Sequence, residues 1–397
     1  MKKNELKLLA SRAVNKIGNV VYDYGNSSWI VSLGPIAQRY LGYYQLAENL
    51  ISLFLNPIGG AIADRFKRRK ILLVTDFVGG LMCLLLALIG TDQIMLYGLI
   101  SVNAILAISH AFSGTSFRSY VVTLVEKDRL VDFNAKLEVI SQIISISSPL
   151  LAFLFVDRFG LKPTLLLDSL TFFLSFALLF SIRQEEKHVE QPREATSIGA
   201  ILRDIREGLL FIFHEKEVFF LLVVAALVNF FIAAYNYLIP FSNHLFSNNS
   251  SYATLLSMGA AGSILGALLA KKLFQNSHTS LLFSLALSGM GLALITPLAL
   301  FGLPAVIISS GNLIFECFLT IFNIHFFSSL KKKVPNELLG RVFSSIFTVA
   351  VIFMPLATSL MTALPFSVHI LTFAVLGLAI LLMSGLAFLY IRFFFFK

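Results

Sequence analysis

Asn15, Asn19, Asp23 and Asn26 follow one another at steps of four, four and three residues, in and just before the stretch NVVYDYGNSSW near the start of the chain. Far along the sequence Asn312, Glu316, Thr320 and Asn323 repeat the same steps. Such steps place side chains on one face of a helix. Each set is thus a stripe of polar side chains around one carboxyl group, within runs that otherwise supply mostly hydrocarbon. A charged Asp at the centre of a membrane span costs roughly 2.5 to 3.5 kcal/mol to insert, and such residues usually face a cavity and serve an ion or ligand pathway. The chemistry on offer is proton uptake and release at the acid, or contact with a cationic ligand, with amides hydrogen-bonding a polar part of that ligand. The alternative is a hydrogen-bonded contact between helices, which serves equally well for one isolated acid. Two acids on matching stripes favour the chemical reading.

The elements that must hold these stripes are membrane spans. A chain of 397 residues with 57% hydrophobic residues, 39 Phe and 13% charged residues is too apolar for a soluble globule. The basic N-terminus, MKKNELKLLASRAVNKIG, leads into a long apolar run with no small-residue cleavage signature, so an uncleaved first span is expected, with no soluble domain attached. Cys83 and Cys317 both sit in apolar runs, which leaves no disulfide framework and no CxxC site. No GxxxxGK[ST] phosphate loop, HExxH or GxSxG occurs, so the chain is read as no enzyme, with no cofactor and no metal.

A span takes about 20 mostly apolar residues. Breaking the chain at charge clusters and Gly/Pro turns gives twelve: 10–34, 43–63, 71–90, 95–118, 137–157 and 163–182, then 217–240, 251–270, 280–299, 303–330, 341–363 and 368–391. Connections are alternately basic and nearly uncharged, and most of the 31 Lys and Arg fall on one side. The positive-inside rule then puts both termini in the cytoplasm and makes the net charge of +9 a topology signal, with no call for a nucleic-acid partner. One sizeable polar loop divides the chain into an N-terminal bundle, 1–182, a cytoplasmic linker, 183–216, and a C-terminal bundle, 217–397. GGAIADRFKRRK after the second span and GALLAKKLFQN after the eighth match at Gly60/Gly266 and Arg65/Lys271, as in a duplicated six-span unit, with Ala270 in place of Asp64.

GGAIADRFKRRKILLVTD, Gly59 to Asp76, resembles the signature loop of the major facilitator superfamily: glycine, three residues, Asp-Arg, then a basic cluster. Lys67 stands where that family usually has glycine. FRSYVVTLVEKDRLVDFNAK, LRDIREGLLFIFHEKEV and KKKVPNELLGRVFS look like the macrolide-efflux-type branch of its drug:proton antiporters. The resemblance implies an all-α integral membrane protein, twelve transmembrane helices in two six-helix pseudo-repeats, in a bacterial cytoplasmic membrane. It implies a gating contact on the cytoplasmic side built on Gly60, Asp64 and Arg65, with the eleventh span near Arg341 as partner and Arg118 and Glu138 as further members of a charge relay. Interfacial snorkelling is the simpler account of Arg118.

In that fold the first, fourth, seventh and tenth spans line a central cavity, so the resemblance brings the two stripes together. Asp23 and Glu316 are then the proton-coupling candidates, with His110 of the fourth span a third. Asn19, Asn26, Asn229, Tyr235, Asn236, Asn312 and Asn323 are candidates for the cavity wall. Asp76 and Asp168, read as lying near span ends, are assigned to packing. The expected function is proton-coupled export of amphiphilic or cationic drug-like compounds by alternating access, by a monomer whose partners are substrate, protons and membrane lipid. Movement of a lysophospholipid or similar lipid is the rival reading, and a non-transporting membrane sensor a more distant one.

Overall fold

The computed structural model describes residues 2–183, 198–273, 278–335 and 339–394. The chain divides into two compact units, Met1–Ile201 and Leu202–Lys397, and among the described residues it contains no strand. Helices are what a bilayer permits, since a backbone in hydrocarbon must satisfy its own hydrogen bonds.

The first unit holds six long helices: α1 (Lys3–Ser32), α2 (Ala37–Arg65), α3 (Arg68–Ala87), α4 (Asp92–Leu124), α5 (Leu130–Phe159) and α6 (Leu161–Phe180). An amphipathic helix, α7 (Ile198–His214), follows. The second unit continues with α8 (Lys216–Leu238), the short α9 (Ser242–Leu245), α10 (Ser251–Leu273), α11 (His278–Leu300), the short α12 (Ala305–Ile308), α13 (Ser310–Lys333), α14 (Leu339–Ala363) and α15 (Leu371–Phe394). The expected linker is therefore half helix: α7 occupies its second part, because apolar residues at helical spacing alternate there with Arg203, Arg206 and Glu207.

Among the described residues, nine helices are long and apolar enough to cross a membrane. Of the twelve expected spans, that on α1 is long enough, at 30 residues, and misses that mark through the polar residues it carries, while the side chains of α2 are described only as far as Asn56. The apolar run described in α14, Thr348–Ala363, is shorter.

Both units repeat one packing scheme. In the first, α1 packs on α5 and α6, α3 on α4 and α6, and α2 on α4. In the second, α8 packs on α14, α11 on α13 and α15, and α10 on α13. Small residues make these contacts close. A Cβ on Gly262 or Gly266 of α10 would run into the Leu313 or Cys317 carbonyl of α13, and one on Gly291 of α11 would lie 2.5 Å from the Phe315 nitrogen. Between α5 and α6 the chain turns at a single residue, Gly160, whose φ of 77° is one that side chains rarely adopt.

At one end of the first unit the basic residues do more than anchor topology. Arg69 donates to the last carbonyls of α6, Leu179 at 3.1 Å and Phe180 at 2.5 Å, and lies over the Phe180 ring. Those carbonyls have no partner within their own helix, and they carry its negative dipole end. Arg68 reaches Ser119 and Thr123 of α4, and Lys7 the Ser181 carbonyl. Buried Glu5 pairs with Arg129 at 2.8 Å, and Lys2 with Glu126. The hydrogen bond and charge from Lys2 hold the exposed Glu126 carboxyl below its ordinary range.

Candidate functional site

At about 100° per residue, positions 15, 19, 23 and 26 of α1 fall at about 0°, 40°, 80° and 20° around the helix. Burial follows that order: Asn15 and Asn26 are buried, Asn19 is half-buried and Asp23 is exposed. The stripe is thus two rows. Its inner row holds α1 against its neighbours, and Asp23 stands on the accessible edge.

Asn15 donates to Asp76 Oδ1 of α3 at 3.1 Å, and Ser175 of α6 donates to Asp76 Oδ2 at 2.5 Å. Asn19 in turn donates to Asn15 Oδ1 at 3.0 Å and lies 3.4 Å from His110 Nε2 of α4. Arg12 lies close enough to Asp76 for their charges to interact, and its guanidinium sits over the Phe117 ring at 5.1 Å. A small cavity opens on this network, lined by Arg12, Asn15, Asp76, His110, Ser113 and Ser175 among others. Four helices thus meet in one polar cluster. Asp76 is 6% exposed and lies in the middle of α3, so its expected place near a span end is corrected: the helix begins at Arg68, before the expected span.

Asp168 is likewise mid-helix and fully buried, which corrects its expected place too. It accepts from Cys83 Sγ at 3.3 Å and from Thr171 at 3.2 Å. Gly18 of α1 opposes it, and a Cβ there would collide with Thr171 and Asp168. Asp23 shares its surroundings with Asp168 and with Glu48 of α2, both of which bear on its charge. Asn26 is 0% exposed and donates to the Tyr44 hydroxyl of α2 at 3.3 Å, while Asn103 of α4 donates to the Tyr44 carbonyl at 2.9 Å.

In the second unit, Asn312 is buried and donates to the Leu255 carbonyl of α10 at 2.7 Å. Glu316, one turn on, is half-buried and accepts from Ser263 at 3.2 Å. Gly259 lets both approach: a Cβ there would lie 2.7 Å from Asn312 Nδ2 and 3.2 Å from Glu316 Cγ. Thr320 and Asn323 are half-buried on the same side of α13. Tyr235 is interior, 1% exposed, with its ring 5.0 Å from that of Phe315, whereas its neighbour Asn236 is exposed. Asn229 donates to the Ala225 carbonyl of its own helix.

Arg118 is exposed and near Arg12; Glu138 accepts from Gln142 and faces Lys16. Gly60, Asp64 and Arg65 fall near the end of α2 and Arg341 near the start of α14, but their side chains lie outside the described residues. Among the described residues no three His, Cys, Asp or Glu are disposed to hold a metal ion.

Sequence reasoning assigned Asp76 to packing but not to the middle of its helix, and it missed Ser175 and Ser263. The signal for Asp76 was present, an acid nine residues into an apolar helix, while serines in apolar helices are too common to single out.

The model of the Major Facilitator Superfamily matches residues 20–358. An uncharacterized MFS-type transporter, YkuC of Bacillus subtilis, is 24% identical over 68% of this chain, and the match spans 65% of that protein's length. Macrolide efflux protein A of Streptococcus pyogenes is 23% identical over 76% of this chain and 74% of its own. Among solved structures, a bacterial homologue of the iron transporter ferroportin, inward-facing, superposes with a TM-score of 0.73 at 15% identity, covering 97% of this chain and 98% of that one. The nucleoside transporter NupG gives 0.74 at 13% identity over 100% of both chains. A D-xylose-proton symporter gives 0.71 at 10% identity over 96% of both. At these identities the likeness is one of fold.

Proposed function

The chain belongs to the Major Facilitator Superfamily, and on that premise we propose that it is a secondary active transporter exporting amphiphilic or cationic drug-like compounds in exchange for protons. The observation that carries the reading is one accessible or half-buried acid on the polar stripe of each unit, Asp23 on α1 and Glu316 on α13. An intramembrane acid of this kind is suited to carrying a proton or meeting a cation. The likeness to a macrolide efflux protein supports the choice of cargo.

In this reading Asp23 and Glu316 exchange protons, and His110 communicates with the Asp76 cluster through Asn19. Asn19, Asn236 and Asn323 face the cargo, while Asn15, Asn26, Asn312 and Tyr235 keep the helices in place. Gly60, Asp64 and Arg65, with Arg341, gate one end of the pathway as the two bundles alternate in access. The protein works as a monomer in a bacterial cytoplasmic membrane with both termini inside, supported by the basic residues gathered at the ends of α1 to α6.

The test is flux in reconstituted vesicles under an imposed pH gradient, with a cationic dye, a macrolide and a lysophospholipid as cargo. The gradient should drive uphill movement of the dye or the macrolide, and Asp23→Asn or Glu316→Gln should abolish that drive. Indifference to both the gradient and the substitutions would sink the proton assignment. Flux of the lysophospholipid alone would move the reading to lipid transport.

A further inference from the structure

The two units repeat one packing scheme, and the largest departure is at a single pair. In the first unit α1 and α6 are in close contact, because Gly18 and Gly25 of α1 admit Thr171, Asp168 and Thr164 of α6. The corresponding pair in the second unit, α8 and α15, touches at few positions. The reason is in the sequence: α8, KEVFFLLVVAALVNFFIAAYNYL, has no glycine and turns Phe219, Phe220 and Phe231 toward its partner. A groove of about 720 Å³ remains, walled by those rings and by Leu382, Leu386 and Tyr390 of α15. Leu382 and Leu386 are 68% and 67% exposed.

Three features say what fills it. The groove runs along α8 from Phe219 to Phe231, about 18 Å at 1.5 Å per residue. That is close to one leaflet of a hydrocarbon core about 30 Å thick, the depth of one acyl chain. Its rim is basic. Lys216 lies one turn before Phe220 on the same stripe of α8, and Arg392 lies just past Tyr390, whose ring stacks on Phe220 at 5.9 Å. Finally, Phe213 of α7 meets Phe219 at the mouth, ring to ring at 5.5 Å. The exposed stripe of α7 that carries Phe213 reads Arg203, Arg206, Leu210, Phe213, so apolar residues adjoin the groove and cations lie beyond them. The acids nearby are Glu215, Glu217, which pairs with Lys333, and Glu207.

We propose that the groove between α8 and α15 binds one anionic phospholipid of the surrounding bilayer, an acyl chain lying along Phe219 to Phe231 and the phosphate held by Lys216 and Arg206. This site is independent of the cargo and of proton coupling. A helix pair splayed by the glycine-free α8 is filled by the chain, and the amphipathic α7 is tied through the headgroup to the bundle it precedes.

Native mass spectrometry of the full-length protein, released from detergent with phosphatidylglycerol and phosphatidylcholine, reads the proposal directly. One phosphatidylglycerol should be retained at least about tenfold more tightly than phosphatidylcholine. Arg206→Glu combined with Lys216→Glu should erase that preference. Leu386→Trp should fill the groove and lose the lipid, while Leu294→Trp, an exposed position on α11 outside the groove, should keep it. Equal retention of the two lipids, or retention unchanged in the groove variants, would overturn the proposal. So would a dimer that survives without lipid, which would give the groove to a second copy of the chain. Should the variants fail to fold, phosphatidylglycerol with a photoreactive acyl chain on the wild-type protein decides: labelling within 219–231 and 379–390 supports the site, and labelling confined elsewhere refutes it.

Discussion

Asn15 of α1 donates its side-chain amide to Asp76 of α3 at 3.1 Å, and the same acid accepts from Ser175 of α6 at 2.5 Å. One carboxyl group thus ties three helices. In a bilayer, where helix association gains little from the hydrophobic effect, such hydrogen bonds and close packing set the arrangement.

Replacing Asp76 should therefore cost stability in proportion to the donors left unmade. Asp76→Leu strands both Asn15 and Ser175, and a buried polar group without a partner costs about 1–3 kcal/mol. Asp76→Asn keeps a carbonyl acceptor for one of them and should fall between wild type and the leucine variant. Thermal unfolding of the purified protein in detergent gives the ranking, and a leucine variant as stable as wild type would remove Asp76 from this structural role.

Two glycine substitutions should act in opposite directions. A Cβ at Gly262 would strike the Leu313 carbonyl, and backbone cannot yield as a flexible side chain can, so Gly262→Ala should separate α10 from α13 and lower the folded yield. Overpacking of this kind costs typically about 1–3 kcal/mol. At Gly385 of α15 nothing lies within 4 Å, and Ala there should be neutral or stabilise by up to about 1 kcal/mol through helix propensity. Fluorescence size-exclusion of both variants after heating compares them on one scale.

Much of this architecture was legible beforehand because span length, charge alternation and the stripe spacing are local properties of sequence. The division of each stripe into a buried and an accessible row could not be read, since it depends on which neighbour each helix face meets. Asn26 shows this: four residues of regular spacing place it beside Asp23, yet the rotation of α1 turns it onto Tyr44 of α2. Asp76 and Asp168 fall near span ends in the sequence reading for a related reason: span edges drawn from charge clusters begin after the true helix starts. The half-helical linker escaped notice because its charges, counted together, masked their helical spacing.

Glu316 offers a test that separates coupling from folding. Ser263 donates to its carboxyl at 3.2 Å, and glutamine keeps a carbonyl able to accept that bond. Glu316→Gln should then express, elute and melt as wild type. In vesicles it should still exchange cargo down its own gradient but show no response to an imposed pH gradient. A variant that melts early would place Glu316 among the packing residues, and one that keeps its pH response would leave Asp23 as the coupling acid.

The basic run after α2 gives a last expectation, one that distinguishes shape from charge. Arg69 spends two nitrogens on the final carbonyls of α6 and stacks on the Phe180 ring. Arg69→Ala leaves the Phe180 carbonyl to water or to nothing, leaves that of Leu179 with backbone amides beyond the helix, and removes the cation from the negative end of the helix dipole, a loss of about 1–3 kcal/mol. Arg69→Lys restores the charge but not the planar fork, so it can satisfy one carbonyl and cannot stack in the same way. If the contact works through geometry, lysine recovers less than half of the alanine loss in a detergent melt. If Arg69 served only as a topology anchor, lysine would recover all of it, because the positive-inside rule counts charge alone.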